Sequence, residues 1–116
     1  TFPTLLKSDI ENEIIINLSN DGWFGNSLGP YQHLQIMQIR ALEFNRYILR
    51  AANTGLSAVI NNYGEIVEYI PINKQGRLSG SAPINLDRSF YSRYGDIFVL
   101  MLLFLTLLSK GLIRHK

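Results

Sequence analysis

Residues Asn17 to Gly55 read NLSNDGWFGNSLGPYQHLQIMQIRALEFNRYILRAANTG, and their order decides the fold. The run Glu13-Ile14-Ile15-Ile16-Asn17-Leu18 leads into them. Being β-branched and bounded by polar residues, it predicts a strand buried on both faces. Ser19-Asn20-Asp21-Gly22 supplies turn formers. Trp23-Phe24 then stands between Gly22 and Gly25, two large aromatics on a glycine-hinged loop that either plug a hydrophobic gap or form a lid over a pocket. Gly29-Pro30 closes the loop, and a helix is expected from near Tyr31. Leu34, Met37, Ala41 and Phe44 recur at helical spacing as one apolar stripe. Ile36 and Ile39 are expected to widen that stripe and leave the helix well covered. Arg40–Glu43 and Glu43–Arg46 fall within i,i+3 reach, and His33 also lies off the stripe. Tyr47 to Ala52 reads as a second strand ending in Asn53-Thr54-Gly55. Strand, loop, helix and strand make an α/β unit, with the loop where such proteins place their sites.

Working outward, Leu56 to Ile60 predicts another strand, Asn61 to Gly64 a turn, and Glu65 to Ile70 a returning strand with one wet face. Pro71 ends that hairpin, and Leu78 to Leu86 reads as a further extended segment, an edge strand. Upstream, Thr1 to Asn12 is a short helix or a loop. Asn17-Leu18-Ser19 matches a glycosylation acceptor, but its place at a buried strand end argues against that use. The first residue is not Met and no signal peptide opens the sequence, which suggests a piece of something longer or a processed terminus.

The composition shifts sharply after the aromatic stretch Ser89 to Asp96. Ile97 to Leu108 is apolar except for Thr106, and continuing to Ile113 gives about seventeen residues, the short end for a transmembrane helix. Tyr91 and Tyr94 suit an aromatic belt at one end. Lys110, Arg114 and Lys116 lie at the other, so the positive-inside rule puts the C-terminus in the cytoplasm and the α/β portion outside. The competing reading is a buried C-terminal helix.

Several chemistries are disfavoured by composition. A net charge of +2 with no basic patch interleaved with aromatics gives no argument for nucleic acid. The chain of 116 residues has no cysteine, which removes disulfides, thiolate metal sites and a cysteine nucleophile. His33 and His115 are its two histidines and lie far apart, so no metal constellation is visible and no cofactor is implied. Ser19, Ser27 and Ser57 lack the G-x-S-x-G context of a nucleophile elbow. His33 could act as a general base, but no carboxylate or nucleophile stands at a spacing that argues for partnership, so a structural hydrogen bond is favoured. Asn20 and Asp21 either orient backbone near a nucleophile or make an Asx-turn, and the Asx-turn is favoured. Arg40, Glu43, Arg46 and Arg50 read as an ion-pair network holding helix to sheet rather than as a lipid-phosphate site. Asn53 and Gly55 look like strand-end geometry at the site rim.

Four motifs in order carry a family resemblance: Asn20-Asp21-Gly22-Trp23-Phe24-Gly25, Gly29-Pro30-x-Gln32-His33, Arg40-Ala41-x-Glu43-x-x-Arg46, and Arg50-Ala51-x-Asn53-Thr54-Gly55-x-Ser57. Together they resemble the carboxyl part of bacterial apolipoprotein N-acyltransferase, a membrane-embedded member of the nitrilase (carbon-nitrogen hydrolase) superfamily. The resemblance implies an α/β fold, the second half of a nitrilase-like α-β-β-α sandwich over residues 1–90. One C-terminal transmembrane helix with a basic tail follows over 91–116, in the bacterial inner membrane. It implies transfer of a fatty acyl group from a phospholipid donor to the amino terminus of a diacylglyceryl-cysteine lipoprotein through a cysteine thioester. The glutamate, lysine and cysteine of that mechanism are expected upstream of Thr1, so no catalytic residue is assigned in this chain and it is expected to be inactive alone. Its implied partners are the two lipid substrates, the membrane and a missing N-terminal half. Asn20, Asp21, Trp23, Phe24, Gly25 and His33 become candidates for the substrate pocket or lid, the aromatic loop facing acyl chains. Arg40, Glu43, Arg46, Asn53 and Gly55 are candidate supports. The alternatives are a non-enzymatic remnant of a split gene and a fragment of a nitrilase-like amide hydrolase.

Overall fold

The computed structural model describes residues 14–84 and 87–114. The reading of Thr1 to Asn12, and His115 with Lys116, lies outside the described residues.

Strand β1 (Ile14–Asn20) is followed by a single 3-10 turn (Gly22–Phe24) and helix α1 (Gly29–Phe44). Pro30 opens α1, where its missing N–H costs nothing. Asn45 closes it in the left-handed conformation (φ 53°), its N–H bonding to Leu42 O while the Arg46 N–H reaches Ala41 O. This tight stop turns the chain straight back into β2 (Tyr47–Asn53), which pairs parallel to β1 with Ile14 opposite Tyr47 and Asn20 opposite Asn53. A helical crossover between parallel strands is the expected α/β unit. β3 (Ser57–Ile60) and β4 (Ile66–Ile70) then add antiparallel, giving a four-stranded sheet in sequence order. Gly64 (φ 78°) supplies the left-handed residue in the β3–β4 turn.

The core lies between α1 and one sheet face. Leu34, Met37 and Ala41 pack on Ile48, Leu56, Ala58 and Ile60, with Ile15 and Ile72 at the margin. Phe44, also buried, continues the same stripe. Ile36 and Ile39 do not widen it. Both are exposed, because a rotation of about 100° per residue carries them away from the buried line.

Two other expectations fail for physical reasons. β1 is not buried on both faces: Ile16 is 71% and Leu18 78% exposed. α1 covers only the face bearing the alternate residues, so Ile16, Leu18 and Leu49 look outward from the far face. Residues 78–84 form no edge strand; the Ser79 N–H binds the Glu68 carboxylate (3.3 Å) instead of a ladder carbonyl. The rest of that predicted segment lies outside the described residues.

A short helix α2 (Phe90–Tyr94), capped by Ser89 through the Ser92 N–H (3.0 Å), lays Tyr91 edge-on to Phe44 at 6.2 Å. Helix α3 (Ile97–Arg114) follows, and its apolar residues from Ile97 to Leu105 are all exposed. The expectation of a complete transmembrane crossing is not met. Among the described residues no helix is long and apolar enough to cross a membrane. The predicted span, Ile97 to Ile113, rises about 25 Å, short of the roughly 30 Å of hydrocarbon.

Candidate functional site

The site grows from the carboxyl end of β1, where the parallel pair stops and the chain must turn. Asn20 Oδ1 accepts the Gly22 N–H (3.2 Å), the expected Asx-turn. Asp21 does something different. It is 2% exposed, and its carboxylate gathers three elements. Oδ1 accepts from Ser19 Oγ (2.7 Å) at the end of β1 and faces His33 Nδ1 (3.0 Å) on α1. Oδ2 accepts from Arg50 Nη2 (2.7 Å) on β2. Its main chain is held as well, with the Asp21 N–H on Asn53 O (3.3 Å) and the Phe24 N–H on Asp21 O (3.1 Å).

Burial by itself would raise the Asp21 carboxyl. The hydrogen bonds of His33 and Ser19 and the charge of Arg50 outweigh it and hold the group below the ordinary carboxylate range. Arg50, 4% exposed, donates through its other two nitrogens to Leu56 O (3.1 Å) and Asn17 Oδ1 (2.6 Å), so each of its three nitrogens has a partner. Gly55 is what lets the carboxylate sit here: a Cβ at residue 55 would lie 2.3 Å from Asp21 Oδ2.

The aromatic loop is rooted in this cluster. Gly25 completes it with φ 51° and ψ −134°, a conformation that favours glycine. Phe24 folds back onto Gly29 and meets the His33 ring edge-on at 5.0 Å, whereas Trp23 projects, 86% exposed. Both aromatics are thus exposed, Phe24 at 40% with a ring contact to His33 and Trp23 with none among the described residues. Beside the cluster, a cleft of about 300 Å³ between β1 and α1 is lined by Asn17, Ser19, His33, Met37, Arg40 and Arg50. A second, apolar hollow of about 460 Å³ opens on the far sheet face over Leu49, Ala51 and Val59.

Asn20, Asp21, His33, Asn53 and Gly55 thus come together as one constellation, joined by Arg50 and Ser19. Arg40 and Glu43 form a hydrogen-bonded ion pair along α1. Arg46 instead sits at the far end of that helix, donating to Asn45 O (3.0 Å) and Asp87 O (2.8 Å). The expected single network is therefore split. The sequence reading also missed the Asp21–His33 contact, whose partners are twelve residues apart across a loop.

The serines serve structure. Ser19 holds Asp21, Ser27 Oγ accepts the Gly29 N–H (3.2 Å), and Ser57 Oγ accepts the Ala52 N–H (3.0 Å). His33 is oriented by a carboxylate, as a general base would be, yet among the described residues no serine, threonine or cysteine is its partner. Among the described residues no group of three or more His, Cys, Asp or Glu could hold a metal ion. What the cluster can do is fix a loop at the mouth of a parallel sheet.

Comparison with known proteins agrees with this architecture. The chain is 35% identical to an apolipoprotein N-acyltransferase of Rickettsia bellii over 99% of its own length and 23% of that protein. It is 43% identical to that of Nitrosomonas europaea over 85% of its length and 20% of the relative, and 44% identical to that of Bradyrhizobium diazoefficiens over 81% and 18%. It therefore spans about a fifth of the length of the curated relatives it matches. The carbon-nitrogen hydrolase family model matches residues 5–86, covering β1 to β4 and the whole Asp21 cluster, and the chain belongs to the carbon-nitrogen hydrolase family.

Proposed function

We propose that this chain is the carboxyl-terminal portion of a lipoprotein N-acyltransferase, supplying the substrate-facing loop, part of the sheet core and a membrane-seated helix. One observation carries the reading. A buried carboxylate anchors a glycine-hinged loop at the carboxyl end of parallel strands and leaves Trp23 exposed, an apolar surface suited to a fatty acyl chain.

The chemistry follows from that class of enzyme. A thiolate attacks the ester carbonyl of a phospholipid; the C–O bond breaks, a lysophospholipid leaves, and a thioester forms. The α-amine of a diacylglyceryl-cysteine lipoprotein then attacks the thioester, the C–S bond breaks, an amide forms and the thiolate is restored. A glutamate base and a lysine at the oxyanion assist. These 116 residues contain no cysteine, so the nucleophile of this reading comes from another part of the domain; the resemblance places its glutamate and lysine there too, and the chain is expected to be inactive by itself.

α3 is the membrane element of this reading. A helix apolar and uncovered on all its described sides needs an apolar surrounding, and insertion beside other helices in the inner membrane provides one. Residues 1–90 then form the catalytic-domain portion and 91–116 the membrane portion.

The test is reconstitution in phospholipid vesicles, with and without the upstream half of a related acyltransferase, followed by acyl transfer to a diacylated lipopeptide. Acylation that needs both polypeptides supports the proposal. Its absence with a folded, vesicle-bound chain and an intact partner overturns it in favour of a non-enzymatic remnant. Hydrolysis of a simple amide by the pair would favour an amide hydrolase.

A further inference from the structure

The exposed indole at the tip of the loop lies between two residues held by the same imidazole. We propose that His33 is the positioning residue of the Trp23–Phe24 loop, pinning it on both sides of Trp23 through Asp21 and through Phe24. For its effect on acyl transfer this rests on the acyltransferase reading; as a statement about the loop it does not.

The argument is geometric. His33 lies in the second turn of α1, a rigid element fixed to the sheet by Leu34 and Met37. Its Nδ1 meets Asp21 Oδ1 at 3.0 Å, and Asp21 is the root of the 3-10 turn, bonded by both side chain and main chain to β2. Its ring meets Phe24 edge-on at 5.0 Å with planes 85° apart. Phe24 also lies against Gly29, its ring filling the space a Cβ there would need, 2.4 Å from Phe24 Cδ1. Between the two pins lie Gly22 and Trp23, and the structure gives Trp23 no ring contact or side-chain hydrogen bond among the described residues. The direction in which the indole projects is therefore set through its neighbours, and His33 is the side chain that touches both of them.

The arrangement separates two contributions that a set of variants can resolve. His33→Asn keeps a donor near the Nδ1 position and loses the ring. His33→Phe keeps the ring and loses the donor. His33→Ala loses both.

Trp23 is the chain's single tryptophan, so its fluorescence anisotropy reports the loop directly. In the full 116-residue chain in detergent micelles, with far-UV circular dichroism as the check on folding, anisotropy is expected to fall furthest in His33→Ala. His33→Asn and His33→Phe are expected to fall in between. Wild-type anisotropy in a His33→Ala chain of unchanged dichroism would overturn the proposal. If His33→Ala does not fold, wild-type anisotropy in both conservative variants overturns it equally.

With the upstream half present, loss of the pins is expected to raise KM for the phospholipid donor by roughly 10- to 100-fold, the scale for misplaced positioning groups. The KM for the lipopeptide acceptor is expected to change far less. An equal loss for both substrates overturns the positioning role. If the wild-type pair transfers no acyl group, the acyltransferase reading fails, and the anisotropy series still decides whether His33 holds the loop.

Discussion

Asp21 and Arg50 show what a single residue can decide in this fold. Both are almost wholly buried, and each is the other's charge partner at 2.7 Å. Replacing Asp21 with Ala strands a guanidinium in the interior, and breaking a buried pair in this way costs about 3–5 kcal/mol. A urea midpoint for Asp21→Ala lowered by that amount is the expected result; one within error of wild type would show that Arg50 finds water. The same residue gives a pH dependence whose sign is fixed. Its folded pKa is lowered, so its stabilisation is complete above the unfolded carboxylate value, about 4. That contribution is lost as pH falls from there through the folded value. Urea midpoints measured from pH 6 down to 2 are expected to drop in wild type, and Asp21→Asn is expected to lack this share of the fall. None of this was legible from Asn20-Asp21-Gly22, which reads as a turn. The Asn did make that turn, but the Asp was taken by partners from α1 and β2, and a single sequence does not register contacts made across a loop. Gly55 was placed correctly at the strand end for an incomplete reason, since its lack of a Cβ makes room for the carboxylate of Asp21.

At the scale of elements, spacing was the reliable signal where one side of a segment faces a packed layer. Leu34, Met37, Ala41 and Phe44 are all buried, as their stripe predicts, and the hairpin turn falls at Asn61 to Gly64. Ile36 and Ile39 are apolar but out of phase with that stripe, and phase decides their exposure. The end of α1 carries its own prediction. Asn45 holds φ 53°, and its side chain also accepts from Asn62 Nδ2 (2.9 Å). Asn45→Ala keeps neither the tolerance for that conformation nor the bond, and is expected to cost about 1–2 kcal/mol. Asn45→Gly restores the conformation alone and is expected to fall between, so a thermal melt of both variants separates backbone from side chain. In the core, Ile48 is fully buried between α1 and its neighbouring strands. Ile48→Ala is expected to cost about 2–5 kcal/mol in denaturant unfolding, because the rigid helix cannot follow the shrinking side chain.

For the whole molecule the informative feature is what the chain leaves bare. The strand run Glu13 to Leu18 reads as doubly buried, yet one of its faces is open, and the discrepancy has a direct physical meaning. Sequence records the environment a segment is built for, while this chain covers one side of its sheet with α1 and presents Ile16, Leu18 and Leu49 on the other. Among the described residues β1 is also an edge strand, with no ladder partner along its outer side. An open face and an open edge together offer a surface that another layer can join. This separates stability from assembly in a way mutation can read. Leu18→Asp lies on the open face, so in the chain alone it is expected to change the urea midpoint by no more than about 0.5 kcal/mol, as for other surface substitutions. It is also expected to reduce self-association, because it breaks an exposed apolar patch. Mixed with the upstream half of a related acyltransferase, the same variant is expected to lose co-purification, since a carboxylate would then be buried without a partner. Wild-type co-purification by Leu18→Asp would mean that this face is not the joining surface. A large loss of stability in the chain alone would mean that the face is already covered in solution, by the chain's own segments or by a second copy.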